Sequence, residues 1–390
     1  MNRVLSVYLD LWRVVAALIV FIYHFSSGDK FQKALLSREL GLESGRVSHL
    51  AVVIFFVLSG YLIARSADKP SLKWQRYFSD RLGRMYSVLI PAVILDIVVM
   101  LALKQLNPQV WSALSGGDAL LPFKYFTTLA FLHQIWSLNA VSWLLGPAWS
   151  VGYEFWYYAG LGLRQFLPGR RMKWLGCGVL LPFVGPKIAL LAGAWLTGVA
   201  AYHFSKKPPP LPRPAVAGLF LLSLAATILP LVFSRHLPCA HGSADKLIGL
   251  SSNFLTDTVY SLAVALNVWS LSVWAPSAAW LENPAGRAGK TVVGYLAGIS
   301  FSLYLFHRPL IALMGAIFGT MENIPQQLAA MAGVFAIVAL LAEFTERKLA
   351  FWKRGTDWLF FRAIPGLTRS WACRRRVPVE GGAPAPAPLK

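Results

Sequence analysis

The sequence predicts an all-α, polytopic membrane protein with about ten transmembrane helices and both termini in the cytoplasm. Three observations predict it. The 390 residues are 56% hydrophobic and 14% charged, with a mean hydropathy of +0.54, whereas soluble domains carry roughly 25% charged residues. Apolar runs near the roughly 20 residues that a bilayer-crossing helix needs recur along the chain, separated by short loops rich in Arg, Lys, Pro and Gly. Lys and Arg are also unevenly shared. With the N-terminus inside, Arg3 and the stretches 65–84, 164–173, 206–213, 287–290 and 347–390 place 26 on the inner side, against 10 outside, as the positive-inside rule requires.

The first helix is expected over 7–25. It is no cleavable signal peptide, because Arg13 interrupts its apolar core and no small-x-small site follows His24. The second, 47–65, contains VIFFVLSGYLI, where Ser59 and Gly60 suit a close helix contact. The third, 85–103, follows the basic stretch RYFSDRLGRMY. Residues 120–136 are nearly long enough to cross. Lys124 and Pro122 argue instead for a re-entrant or surface-lying piece on the outer side, since a crossing would put Arg164, Arg170, Arg171 and Lys173 outside. The remaining helices are expected at 149–166, 172–184, 188–204, 214–233, 253–274, 291–306 and 327–346. Residues 1–348 thus form one membrane domain, and 349–390 a basic, Pro/Ala-rich cytoplasmic tail near lipid headgroups.

The net charge of +20 belongs to cytoplasmic loops facing anionic lipid rather than to a nucleic-acid surface. Cys177, Cys239 and Cys373 lie far apart with no C-x-x-C, so neither a disulfide framework nor a thiolate metal site is indicated. His236, Cys239 and His241 in RHLPCAH lack an acidic second shell, and no metal is expected there.

The chemistry-bearing groups are those that hydrocarbon should reject. Arg13 and His24 are separated by ten residues of the first helix, so they share one face, about 16 Å apart along the axis. An arginine near a helix centre costs roughly 2.5–3.5 kcal/mol on insertion scales, so it persists where something polar faces it. Arg81 and Arg84 stand three apart at the expected start of the third helix, where two guanidinium groups and unpaired backbone N–H groups suit a phosphate. In PAWSVGYEFWYYAG, Glu154 lies about one and a half turns from the outer helix end, at a depth where its carboxylate would orient the His24 imidazole. GISFSLYLFHRPL brings Tyr304 and His307 to the outer end of the ninth helix. Trp149, Ser150 and Tyr304 are the candidate substrate contacts, flat aromatic faces being suited to sugar rings.

Taken in order, the R-x10-H of the first helix, VIFFVLSGYLI, R-x-x-R, WSVGYEFW and SLYLFHRP resemble the acyltransferase 3 family over about residues 8–346. The resemblance implies about ten helices and movement of an acyl group, usually acetyl, from cytoplasmic acyl-CoA to a hydroxyl of an extracytoplasmic glycan, in the inner membrane of a bacterium. It places the catalytic histidine at His24, its partner at Arg13, and the CoA phosphate contacts at Arg81 and Arg84. Acetyl-CoA would be the donor, with no permanently bound cofactor. Phe155 and Trp156 stand where the family often carries a second acidic residue or glutamine. Two other classes compete. A transporter or flippase for a glycan or lipid-linked precursor also needs intramembrane Arg, His and Glu, and would show repeat symmetry that this sequence lacks. A polyprenyl-phosphate glycosyltransferase would use acidic outer-loop residues such as Asp29, Glu39 and Glu43, which here alternate with Lys and Arg.

Overall fold

The computed structural model describes residues 2–26, 45–115, 120–237, 248–319 and 321–363. Every extended element among them is helical: α1 (Arg3–Ser26), α2 (Gly45–Ala67), α3 (Trp74–Leu106), α4 (Pro108–Ser115), α5 (Leu121–Leu129), α6 (Ala148–Phe166), α7 (Gly169–Val184), α8 (Pro186–Lys206), α9 (Arg213–Val232), α10 (Phe254–Trp274), α11 (Pro284–Ala297), α12 (Ser300–Phe318), α13 (Ile324–Phe344) and α14 (Leu349–Trp358). Eight stretches are long and apolar enough to cross a membrane: Arg3–Phe25, Gly45–Ala67, Trp74–Leu106, Pro186–Lys206, Arg213–Val232, Phe254–Trp274, Ser300–Phe318 and Ile324–Arg362. The expected spans at 149–166 and 172–184 form helices that are not among the eight. Glu154 and Arg164 interrupt the first, and the second has 16 residues, about 24 Å of rise against a hydrocarbon core of about 30 Å.

Two differences from the sequence expectation matter for the site. The helix expected at 85–103 begins at Trp74 and runs for 33 residues, so Arg76, Arg81 and Arg84 lie inside it. The helix expected at 291–306 is two helices that break at Gly298 and Ile299, and the second continues to Phe318. His307 therefore falls near the middle of α12 rather than at an outer end.

The stretch expected to be re-entrant contains only the nine residues of α5, about 13 Å of helix. α5 and the irregular chain after it are held inside the bundle by polar contacts. Tyr125 donates to Asp96 at 2.7 Å, Tyr86 to the Leu129 carbonyl at 3.0 Å, Trp156 to the Phe131 carbonyl at 2.9 Å, and Lys187 to the Leu138 carbonyl at 2.8 Å. Non-helical backbone at membrane depth needs such partners, because lipid supplies none.

Residues 349–363 of the expected tail are helical and pack on the first turns of α3. Thr356 donates to the Ser79 carbonyl at 3.1 Å, Arg76 pairs with Asp357 at 3.3 Å, and Lys353 pairs with Asp80. Past the end of α2, the Lys206 ammonium, 2.6 Å away, and then the Tyr202 hydroxyl hold the Asp68 carboxyl below its ordinary range.

The tightest helix contact is between α2 and α8. A Cβ built on Gly60 would lie 2.1 Å from the Trp195 carbonyl oxygen, and one on Gly198 2.0 Å from that of Val57. Neither oxygen can move without breaking its helix, so both positions require glycine. Replacing Gly60 with Leu is expected to lower the melting temperature of the detergent-solubilised protein by at least about 4 °C, measured by a thermal-shift assay.

Candidate active site

α2 presents Val52, Phe56, Ser59, Ile63 and Ser66 along one face, at alternating spacings of three and four residues, and all five line a cavity of about 380 Å³. The opposing walls come from α1 (Arg13), α3 (Asp80, Arg81, Arg84), α6 (Ser150, Glu154, Tyr158) and α12 (Ser300, Tyr304).

At the mouth, the Arg81 guanidinium lies 4.5 Å over the Tyr77 ring and donates to the Ser66 hydroxyl. Arg84 donates to Glu346 Oε1 at 3.0 Å. Both arginines are two to three turns into α3, so the backbone N–H groups around them are spent on the helix and any anion they bind is held by side chains alone. Deeper in, Arg13 donates to the Ser300 hydroxyl at 3.4 Å and stays within 3.7 Å of Asp10. Glu346 is buried and escaped the sequence reading. Its other oxygen accepts from the Ser302 N–H at 2.9 Å and the Ser302 hydroxyl at 3.1 Å.

Glu154 faces the hydroxyls of Ser59 and Tyr158, with Arg84 and Arg13 as its nearest positive charges. The carboxylate expected to orient the His24 imidazole is therefore engaged with Ser59, Tyr158 and the arginines instead. The reason is register: Ser150 pairs with Tyr304 at 2.8 Å, and Glu154 lies one further turn along α6. His24 is oriented by its own helix instead, Nδ1–H donating to the Val20 carbonyl at 2.9 Å. His307 does the same to the Leu303 carbonyl, also at 2.9 Å. The two rings lie with centroids 5.0 Å apart. Because each Nδ1 is the protonated nitrogen, each Nε2 carries the lone pair, and His307 Nε2 has no hydrogen-bond partner among the described residues.

Trp149 is only 9% exposed and stacks on His49 with an interplanar angle of 3°, so the platform expected for a sugar is occupied by an imidazole. His49 donates to Asp257 at 2.7 Å, and Asp257 also pairs with Arg46 at 2.8 Å. None of these three was singled out from sequence. Nearer the outer chain, the Arg308 guanidinium lies 4.1 Å over Trp143. No group of three or more His, Cys, Asp or Glu suited to a metal occurs among the described residues. Cys239 and His241 of the RHLPCAH stretch, the outer-loop acids Asp29, Glu39 and Glu43, and the tail beyond 363 lie outside them.

Residues 6–343 match the family described as Acyltransferase domain. The chain belongs to the acyltransferase 3 family. Among its curated relatives, the acyltransferase MdmB of Streptomyces mycarofaciens is 29% identical over 189 residues, covering 44% of each chain. The peptidoglycan O-acetyltransferase OatA of Listeria monocytogenes is 25% identical over 347 residues, covering 80% of this chain and 53% of its own. The chain thus spans about half the length of the curated relatives it matches. No solved structure matches. The arginines, the carboxylates and the two adjacent imidazoles are the polar groups that this member of the family gathers in and beside its cavity.

Glu346 joins α3 to the first turn of α12 from beneath the cavity. Glu346→Ala, which strips the acceptor from Arg84 and from the Ser302 N–H, is expected to cost about 2–3 kcal/mol. Glu346→Gln should cost less, and denaturant titration in detergent compares the two.

Proposed function

We propose that this acyltransferase carries an acyl group, acetyl in the first instance, from acyl-CoA in the cytoplasm to a hydroxyl of an extracytoplasmic glycan, such as an exopolysaccharide or a lipid-linked oligosaccharide. The observation that carries the proposal is the order of groups along one slot. Arg81 and Arg84 line the cavity's mouth, Arg13, Glu154, Ser150 and Tyr304 its walls, and His307 follows one turn beyond Tyr304, beside His24. The positive-inside charge pattern puts the arginines at the cytoplasmic end.

The two arginines would hold the donor's phosphates as charge-assisted hydrogen bonds. A pantetheine arm would then run past Ser59 and Glu154, with Ser150 and Tyr304 touching the thioester. His24 Nε2, which already carries a lone pair, takes the proton of the attacking hydroxyl. His307 Nε2 offers the acceptor a second hydrogen-bond acceptor. Glu154, among Ser59, Tyr158 and the arginines, keeps Arg13 and Arg84 in place along the donor's path. OatA is named for O-acetylation of peptidoglycan, which supports a surface glycan as the class of acceptor.

His24→Ala is expected to lower acyl transfer by at least about 100-fold while the protein still inserts, since the change removes a polar group from the membrane. Arg81→Glu and Arg84→Glu should each weaken CoA binding, read by isothermal titration. Unchanged affinity in both would reduce them to topology signals. The acceptor class is tested by comparing the surface polysaccharide of a deletion strain with its parent by proton NMR. Loss of O-acetyl methyl signals is expected, and identical acetylation while the gene is expressed would exclude a surface glycan.

A further inference from the structure

The mouth of the cavity is not purely cationic. Asp80 lines it beside Arg81 and Arg84, so a carboxylate faces the space in which the proposed donor's phosphates would lie. Like charges brought together work against binding unless something answers them. Arg76 of α3 and Lys353 of α14 answer this one. Arg76 Nε lies 3.1 Å from Asp80 Oδ1 and its Nη1 3.3 Å from Asp357 Oδ2, while the Lys353 ammonium pairs with Asp80 as well. Two cations thus balance two carboxylates. Arg81, 4.0 Å from the other Asp80 oxygen, is left to the cavity.

Lys353 itself does not line the cavity, and α3 is cut away for it. A Cβ on Gly83 would lie 2.8 Å from Lys353 Cγ and 3.3 Å from its Cα, so the lysine stem crosses α3 where there is no side chain. Thr356, one turn further along α14, donates to the Ser79 carbonyl at 3.1 Å and fixes the same turn. The Lys353 side chain is 21% exposed, against 46% for Arg76, which makes the lysine the less screened partner of Asp80. An apolar chain would cover Gly83 equally well. Packing alone does not require an ammonium on a carboxylate that lines the cavity.

We propose that Lys353 is a positioning residue of the donor site, its ammonium neutralising Asp80 so that Arg81 meets the donor's phosphates instead of the neighbouring carboxylate. The assignment rests on the acyl-CoA reading above. It makes α14 part of the donor-binding apparatus without any contact between Lys353 and the donor. With the lysine gone, Arg76 has both Asp80 and Asp357 to satisfy, Asp80 turns to Arg81, and the mouth presents one positive charge fewer to an anionic ligand.

Isothermal titration of the detergent-solubilised full chain with CoA, alongside acetyl transfer in inverted membrane vesicles, tests this. Lys353→Met keeps the stem on Gly83 and removes only the charge. It is expected to weaken CoA binding about 10-fold and to raise the KM for acetyl-CoA by a similar factor, with kcat within about twofold of wild type. Lys353→Arg should stay within about threefold. In an Asp80→Asn background there is no carboxylate to neutralise, so adding Lys353→Met should change the affinity by less than about twofold. A lysine that only straps α14 to α3 predicts no loss in Lys353→Met, and one that touches phosphate predicts the same loss in either background. Each of those results overturns the proposal and leaves the donor reading standing. A wild-type chain that binds no CoA would remove both.

Discussion

The expense of a charge in hydrocarbon is the constraint on which this structure depends. Arg13, Glu154 and Glu346 lie within the bundle and Arg84 at its edge, and each is answered by a group on another helix. Arg84 of α3 meets Glu346, which follows α13 and also ties down the first turn of α12 through Ser302. Arg13 of α1 reaches Ser300 of α12, and Glu154 of α6 reaches Ser59 of α2. Satisfying the charges and fixing the helices are therefore one operation. A bundle whose lining is cross-linked by charge cannot close over its cavity by packing apolar side chains together, because collapse would leave at least one ion without its partner.

Rigidity on the other side of the slot has a different origin. α2 touches α8 backbone to backbone through Gly60 and Gly198, so its cavity-lining face is held by a contact with almost no freedom. The same helix carries Arg46 and His49 to Asp257 of α10. One helix thus joins a small-residue seam, a buried ion cluster and the longest wall of the cavity. Asp96 does comparable service for α5 and Lys187 for the irregular chain between α5 and α6, supplying the polar partners that let them stay inside.

Much of this was legible in the sequence because intramembrane charges are rare and each demands an explanation. Arg13, Arg81, Arg84, Glu154, Ser150 and Tyr304 were singled out for that reason or by motif, and all line one cavity. His24 and His307 were expected at similar depth, and their rings are adjacent. What sequence could not supply was pairing. Glu154 was matched to His24 by depth counted from a helix end, yet a single turn of register moves a carboxylate about 5 Å, and the Ser150–Tyr304 contact sets that register. The helix expected to end at residue 306 hid its continuation to Phe318, because Gly298 breaks the chain within the apolar run and not at its edge. His49 and Glu346 were both missed at the ends of expected helices. His49 stands near the start of the helix expected at 47–65, and Glu346 is the last residue of the one expected at 327–346, beside Arg347 and Lys348.

The structure holds His24, His307 and His49 in two ways. A histidine whose Nδ1–H is bonded to the carbonyl four residues back has its tautomer fixed without any charge, so it stays a neutral ring with a lone pair on Nε2. That is the form His24 and His307 take, and it suits groups that receive a proton from an acceptor hydroxyl. A histidine bonded to a carboxylate of another helix is instead part of a cross-link between helices, and that is the arrangement of His49 with Asp257, which also pairs with Arg46. The first arrangement leaves two adjacent rings, centroids 5.0 Å apart, each with an unprotonated Nε2, whereas the second ties α2 to α10.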